Sequence, residues 1–251
     1  MLLYLAVTLL LRNESQAVKV AAGLREASGR VVNVDAEHPD PSTNGQLVYV
    51  TGMATADKPV KDPVFHVRAK ALVLSRTVSM YQWVENDDVE TQNGHTIHSY
   101  TYSKHWNAEP ISSGDFSEPK GHENPPMPVQ SQQFVAAAHC GALTLDPSLT
   151  AMLANGQPLQ LPANQALRRG WRRTQQGVYK GADPNNPAIG DLRVSFAITP
   201  NQMVSVVAAN QAGALTTYQT TNGATIELIA TGLKPESALF RTAQIQNQEV
   251  L

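Results

Sequence analysis

Residues 192–198 read LRVSFAI, and Leu192, Val194, Phe196 and Ile198 alternate there without a break. A period of two puts all four on one face of a strand, so this segment belongs to a sheet with one side buried. The same period recurs at Phe65, Val67, Ala69, Ala71 and Val73 against His66, Arg68 and Lys70. Further β-branched or aromatic runs lie at 47–51, 77–85 (TVSMYQWVE), 98–106 (HSYTYSKHW), 203–208, 214–220 and 224–229. The polar stretch between 85 and 98 carries Asn93-Gly94, which predicts a hairpin in which 77–85 and 98–106 pair antiparallel around an exposed tip. Sixteen Gly and 16 Pro supply the turns that such a chain needs. The fold class is therefore α+β, an antiparallel β-rich domain flanked by a helix at each end.

Residues 2–11 (LLYLAVTLLL) form an uncharged apolar run about half as long as the roughly 20 residues that cross a bilayer. No basic region precedes it and Arg12 follows it, so the run is not a signal peptide; it reads as the end of a membrane helix, the alternative being a buried core helix. Ala17, Val18, Ala21 and Leu24 carry the helical spacing on to Gly29. Residues 35–45 are a turn-rich connector, and 117–130, with Pro119, Pro125, Pro126 and Pro128, can be neither helix nor central strand. Short helices are expected at 131–139 and 146–155, the second entered through Pro147, and a loop-like stretch over 157–190. A final helix is expected over 234–248, carrying Leu239, Phe240, Ala243 and Ile245. Three regions result: the membrane-derived helix 1–30, the β-rich domain 31–233 and the C-terminal helix 234–251.

Candidate chemistry is sparse. A formal charge of -2 gives no broad basic face, which speaks against general nucleic-acid binding. Cys140 is the single cysteine, which excludes an intramolecular disulfide and a cysteine-based zinc site, and its apolar flanks make it a buried thiol. His95 and His98 lack a third ligand at metal-site spacing, and His122-Glu123 lacks a nucleophile. No nucleophile elbow, phosphate loop or dinucleotide fingerprint occurs. No catalytic residue, cofactor or metal is assigned. Arg168, Arg169, Trp171, Arg172 and Arg173 place four guanidinium groups around one indole, a set expected to contact lipid headgroups or an acidic partner.

Several uncommon motifs occur in a fixed order. They are Asn13-Glu14, Pro63-Val64-Phe65, Met80-Tyr81-Gln82-Trp83 with Glu85, Tyr100-Thr101-Tyr102, Trp106, and Ile111 with Ser112-Ser113 and Phe116. Gly121-His122 with Asn124-Pro125, Gly141, Asn186-Pro187 and Gly190-Asp191 running through Arg193 to Phe196 continue the order. Together they resemble the transmembrane protein 43 family, also called LUMA, over nearly the whole chain. Arg12 and His66 depart from that pattern, where the family tends to have tryptophan and often glycine.

The resemblance implies a four-span membrane protein whose large domain, between the first two spans, is lumenal or periplasmic, and this chain looks like that domain. It carries over no catalytic residue. Animal relatives reside in the endoplasmic reticulum and inner nuclear membrane and associate with lamins and emerin. Bacterial relatives are linked to envelope or membrane stress, and the Ala-, Gln- and Asn-rich composition points to a bacterial member, anchored in the inner membrane with a periplasmic domain. The motif residues Tyr81, Trp83, Tyr100 and Tyr102 read as cross-strand aromatic packing, and Asn124 and Asp191 as turn and strand-entry residues. The favoured function is a membrane-anchored scaffold or assembly protein contacting lipids and other membrane proteins; the rival is a ligand-sensing or enzymatic domain with His122 and Trp106 on a pocket rim. Self-association into a homo-oligomer is expected, because 47–51 and 192–199 carry few charges and would offer open sheet edges.

Overall fold

A computed structural model describes residues 2–92, 95–154 and 156–249, with the backbone alone over 2–14 and at 249. Helix α1 (Leu2–Ser28) leads into β1 (Val32–Asp35), β2 (Leu47–Ala56), β3 (Val60–Lys61), β4 (Arg68–Ala69), β5 (Val73–Gln92) and β6 (His95–Asn107). There follow β7 (Gln132–Val135), β8 (Ala138–Cys140), β9 (Leu143–Leu145), α2 (Pro147–Ala151), β10 (Gln157–Pro158), β11 (Arg172–Thr174) and β12 (Gly177–Lys180). The chain ends through β13 (Leu192–Thr199), β14 (Gln202–Gln211), β15 (Ala214–Thr216), β16 (Tyr218–Gln219), β17 (Thr225–Ile226), β18 (Leu228–Thr231) and α3 (Glu236–Glu249). The fold is α+β, with two large sheets.

In the first sheet β14 lies along one edge of β2, while β1 and then β8 share the other. From β8 the pairing continues through β9 and β15 back to β14, so five strands close on themselves. Two pairings, β1 with β2 and β9 with β15, are parallel and the rest antiparallel. Strand alternation then divides the side chains. Val48, Val50, Val204, Val206 and Ala208 join the larger core with Leu143, Leu145 and Leu215. Leu47 and Val207 point the other way, where Leu24 and Ala27 of α1 and Leu239 and Phe240 of α3 cover them. Burial on both faces explains why 203–208 reads as a nearly unbroken apolar run.

The second sheet runs β11-β12-β13-β5-β6, with β10 beside β13 and β7 beside β5. Leu192, Val194 and Phe196 face the larger core together with Leu74, Val78 and Met80. The hairpin pairs antiparallel, with 98–106 lying against 81–89, nearer the tip than the runs suggested. Beyond Glu85 both of its faces are open to solvent, so it projects as an arm; the expected tip at Asn93-Gly94 lies outside the described residues.

Several expectations need correction. The alternating segment 65–73 is not one strand: Arg68 and Ala69 pair with β3, and Val73 already belongs to β5, where it pairs with Thr199 and Val135. Asp62 accepts from the amides of Val64 and Phe65, and His66 takes a left-handed φ of 56°, so the chain turns there instead of extending. Residues 131–139 are not helical but form β7 and β8. The free edge of β5 draws in β7, and Ala136, Ala138 and Cys140 are buried at a period of two, so the ladder overrides the helix propensity of the alanines. Residues 47–51 and 192–199 are no edges: β2 lies between β14 and β1, and β13 between β5 and β12. The buried stripe of α1 runs Ala17, Val20, Leu24 and Ala27, leaving Val18 exposed. Among the described residues no helix is long and apolar enough to cross a membrane.

Candidate functional site

Met80 to Glu85 lie where β5 leaves the body of the sheet and pairs with β6. Alternation sends Met80 and Gln82 inward and Tyr81, Trp83 and Glu85 to the opposite face. Gln82 is fully buried, yet both ends of its amide are used: Nε2 donates to the Glu109 carbonyl at 2.9 Å and Oε1 accepts from the Ile111 amide at 2.8 Å. The loop after β6 is thereby bound to β5. On the other face the register sets Trp106 beside Tyr81, Lys104 beside Trp83 and Tyr102 beside Glu85. Tyr81 and Trp106 lie 5.3 Å apart, and the Lys104 ammonium sits 4.4 Å from the Trp83 ring.

The Pro-rich loop returns across this aromatic row. Its imidazole, His122, stacks on Tyr102 at 3.7 Å and stands edge-on to Trp83 at 4.8 Å. Nδ1 of His122 lies 2.9 Å from the Glu118 carbonyl, which can only accept, so Nδ1 carries the proton. The Tyr102 hydroxyl donates to Glu85 at 2.6 Å and accepts from the Glu118 amide at 2.8 Å, while Glu85 also accepts from the Ser117 amide. Burial pushes the Tyr102 phenol up, and its bond to Glu85 pushes further, so it stays a donor. Asn124 closes the clasp. Its Oδ1 accepts from the Trp83 amide at 2.8 Å, and its Nδ2 donates to the carbonyls of Trp83 at 3.0 Å and Ile111 at 3.3 Å.

A second chain segment locks on from the side of β13. The Gly190 amide donates to Tyr81 and the Tyr81 amide to Asp191, both at 2.9 Å, extending the ladder between β13 and β5. Gly190 has φ of +90°, and a Cβ there would lie 2.8 Å from Cγ of Pro125, so a close approach and a left-handed backbone both require glycine. The Asp191 carboxylate accepts from the Tyr179 hydroxyl at 2.6 Å and from the Ala188 amide at 2.9 Å. Arg193, on the outer face, stacks its guanidinium 4.6 Å from the Trp106 ring. Trp106 and Arg193 line an open cleft of about 390 Å³, whereas His122 sits half-buried between Trp83 and Tyr102 and does not line it.

Met80, Tyr81, Gln82, Trp83, Glu85, His122, Asn124, Pro125, Gly190, Asp191 and Arg193 thus gather in one region, where the side-chain polar groups chiefly hold chain segments to one another. The basic segment does not converge in this way. Arg168 and Arg169 are exposed, but Trp171 packs edge-on against Phe65 at 5.0 Å. Arg172 donates to the Gly181 carbonyl, and Arg173 donates to the carbonyls of Leu161, Ala163 and Gln165. His95 and His98 sit on opposite faces of β6, His98 being 2.8 Å from the Asp87 carboxylate.

Sequence reasoning missed Asp62 and Arg76, which form a buried ion pair at 2.8 Å. Arg76 also donates to the Gln130 carbonyl and to Gln132, and lies over the rings of Phe65 and Phe134. A lone arginine within the strand run VLSRTV was the available signal.

A family profile described as Transmembrane protein 43 matches residues 80–250. Transmembrane protein 43 of Rattus norvegicus is 32% identical over 267 residues, covering 97% of this chain and 65% of its own length. The Homo sapiens protein of the same name is 32% identical over 252 residues, covering 91% of this chain and 61% of its own. The Drosophila melanogaster homolog is 29% identical over 246 residues, with 91% and 64% covered. The chain therefore spans somewhat under two thirds of the length of these relatives. No solved structure gives a significant match.

Proposed function

Since this chain belongs to the transmembrane protein 43 family, we propose that it is the extracytoplasmic assembly domain of a membrane-anchored, non-enzymatic scaffold. A membrane protein is what the names of its relatives describe. The observation that carries the scaffold reading is the clasp: Gln82, Asn124, Tyr102 and Glu85 spend their hydrogen bonds on backbone and on one another. Such a set makes a rigid platform, with buried polar groups satisfied internally. In this reading α1 continues from the membrane, the large domain lies in the lumen or periplasm, and a role in membrane organisation or envelope stress follows from that placement.

The contact surface is the projecting arm, where Val89 and Tyr100 are exposed on one face with Asp87, and Ile97 on the other with Asp88 and Glu90. Among the described residues strand β6 pairs only with β5, so its outer edge is open along the arm. The exposed Arg168 and Arg169 have the opposite charge, which fits a head-to-tail contact with a second copy or contact with anionic lipid. Confinement to a membrane raises the effective concentration of such contacts. Sedimentation and native mass spectrometry of the detergent-extracted full-length protein test this: oligomers that Val89→Glu with Ile97→Glu dissociates are expected. A single monomer across about a hundredfold range of concentration, persisting in reconstituted bilayers, refutes the assembly reading.

A further inference from the structure

Across the outer face of the second sheet, register aligns Arg172, Tyr179, Arg193 and Ser79 in one row, and Ser195 beside Thr77 in the next. These side chains share a face by strand alternation. Tyr179, Arg193, Ser79, Ser195 and Thr77 line the cleft of about 390 Å³ that has Trp106 at its rim. That volume suits a small ligand or a headgroup.

The guanidinium of Arg193 is the unusual group. Lying over the Trp106 ring at 4.6 Å from its centroid, it is shielded on one side, which leaves its N–H fork for a ligand. Among the described residues its side chain makes no hydrogen bond or ion pair, and the hydroxyls of Thr77, Ser79 and Ser195 make no hydrogen bond either. Nearby carboxylates are already occupied: Asp191 by the Tyr179 hydroxyl and the Ala188 amide, and Asp183 by the Asn185 amide. Arg172, bound to the Gly181 carbonyl, adds a second positive charge at the end of the row. A carboxylate has only two oxygens to share between the fork and three hydroxyls, and a neutral sugar would leave the charge idle. A tetrahedral oxyanion uses both.

We propose that this cleft binds a phosphate group, with Arg193 as its anchor and the Ser79, Ser195 and Thr77 hydroxyls as further partners. The phosphate belongs to a soluble ester or to a lipid headgroup, and the two are separable by experiment. Isotope-labelled protein is titrated with inorganic phosphate and with glycerol 3-phosphate, ionic strength being held constant with chloride. Saturable shifts of the Trp106 indole and the amides of 193 and 195 are expected, with a Kd of about a millimolar for so small a ligand. Arg193→Gln weakens binding about tenfold and Arg193→Lys severalfold, because a point charge cannot fork; Ser195→Ala, an exposed change that leaves the stack intact, weakens it too.

Phosphatidylglycerol vesicles in a phosphatidylcholine background supply the second arm, in an Arg168→Gln, Arg169→Gln protein to remove the adjacent exposed pair of arginines. Recruitment that glycerol 3-phosphate competes away and Arg193→Gln abolishes assigns a lipid headgroup; binding in solution without such recruitment assigns a soluble ester. Shifts that do not saturate, or that saturate equally in Arg193→Gln, overturn the proposal.

Discussion

Arg76 is buried to 4% exposure with its partner Asp62 fully enclosed, so neither charge can be removed alone without stranding the other. Breaking such a pair from one side costs about 3–5 kcal/mol, whereas replacing both by apolar groups can be neutral. Asp62→Asn and Arg76→Met are each expected to lower the urea midpoint by that equivalent, and the double variant by less than their sum. Cys140 makes a different residue-level prediction. Burial, and to a smaller degree Glu37, push its thiol up to about 11 from an ordinary value of 9.0. Native protein should leave it unmodified by thiol reagents at neutral pH, with labelling appearing only on denaturation. Its linkage has a definite sign. Above about pH 9 the unfolded chain loses this proton while the folded one keeps it, so stability falls as pH rises from about 9 towards 11. Denaturation curves at several alkaline pH values, compared with Cys140→Ala, isolate that slope.

The hairpin of β5 and β6 and the Pro-rich loop stabilise each other. Neither is self-sufficient: the arm beyond Glu85 is exposed on both faces, and the loop has no ladder of its own. Asn124→Asp keeps the acceptor for the Trp83 amide but turns a carboxylate towards the Trp83 and Ile111 carbonyls. A loss of roughly 1–3 kcal/mol is expected, felt locally. Hydrogen exchange should accelerate over residues 108–130 while β13 stays protected. Gly190→Ala should act on the same region, since a left-handed Cβ costs roughly 1–2 kcal/mol before the contact with Pro125 is counted. Exchange that accelerates uniformly across both sheets in these variants would mean that the clasp is no separate unit.

For the molecule as a whole, the closed set of strands is capped on its outer side by α1 and α3, which together bury Leu47 and Val207. Phe240→Ala should cost roughly 3–5 kcal/mol, and a single cooperative unfolding transition in calorimetry would show that the helices and sheets unfold together. How much of this architecture was legible follows from the range of the interactions involved. Residues 192–198 were readable as a strand because a period of two is a local property, and the terminal helix was readable because Leu239, Phe240 and Ala243 recur within one helical stripe. The order of motifs was likewise enough to name the family, since it needs no coordinates. Which strands are central was not legible: 47–51 and 192–199 look like edges until β1 and β14, and β12 and β5, come beside them. The alanine-rich 131–139 has a helical propensity that loses to a ladder contributed by β5, and Asp62 meets Arg76 only because the chain folds back between them. The stacked pair of Arg193 and Trp106 is of the same kind. Periodicity and motif order are written in neighbouring residues, whereas pairing partners, burial of charge and the lining of a cleft depend on contacts between segments whose separation along the chain carries no signal.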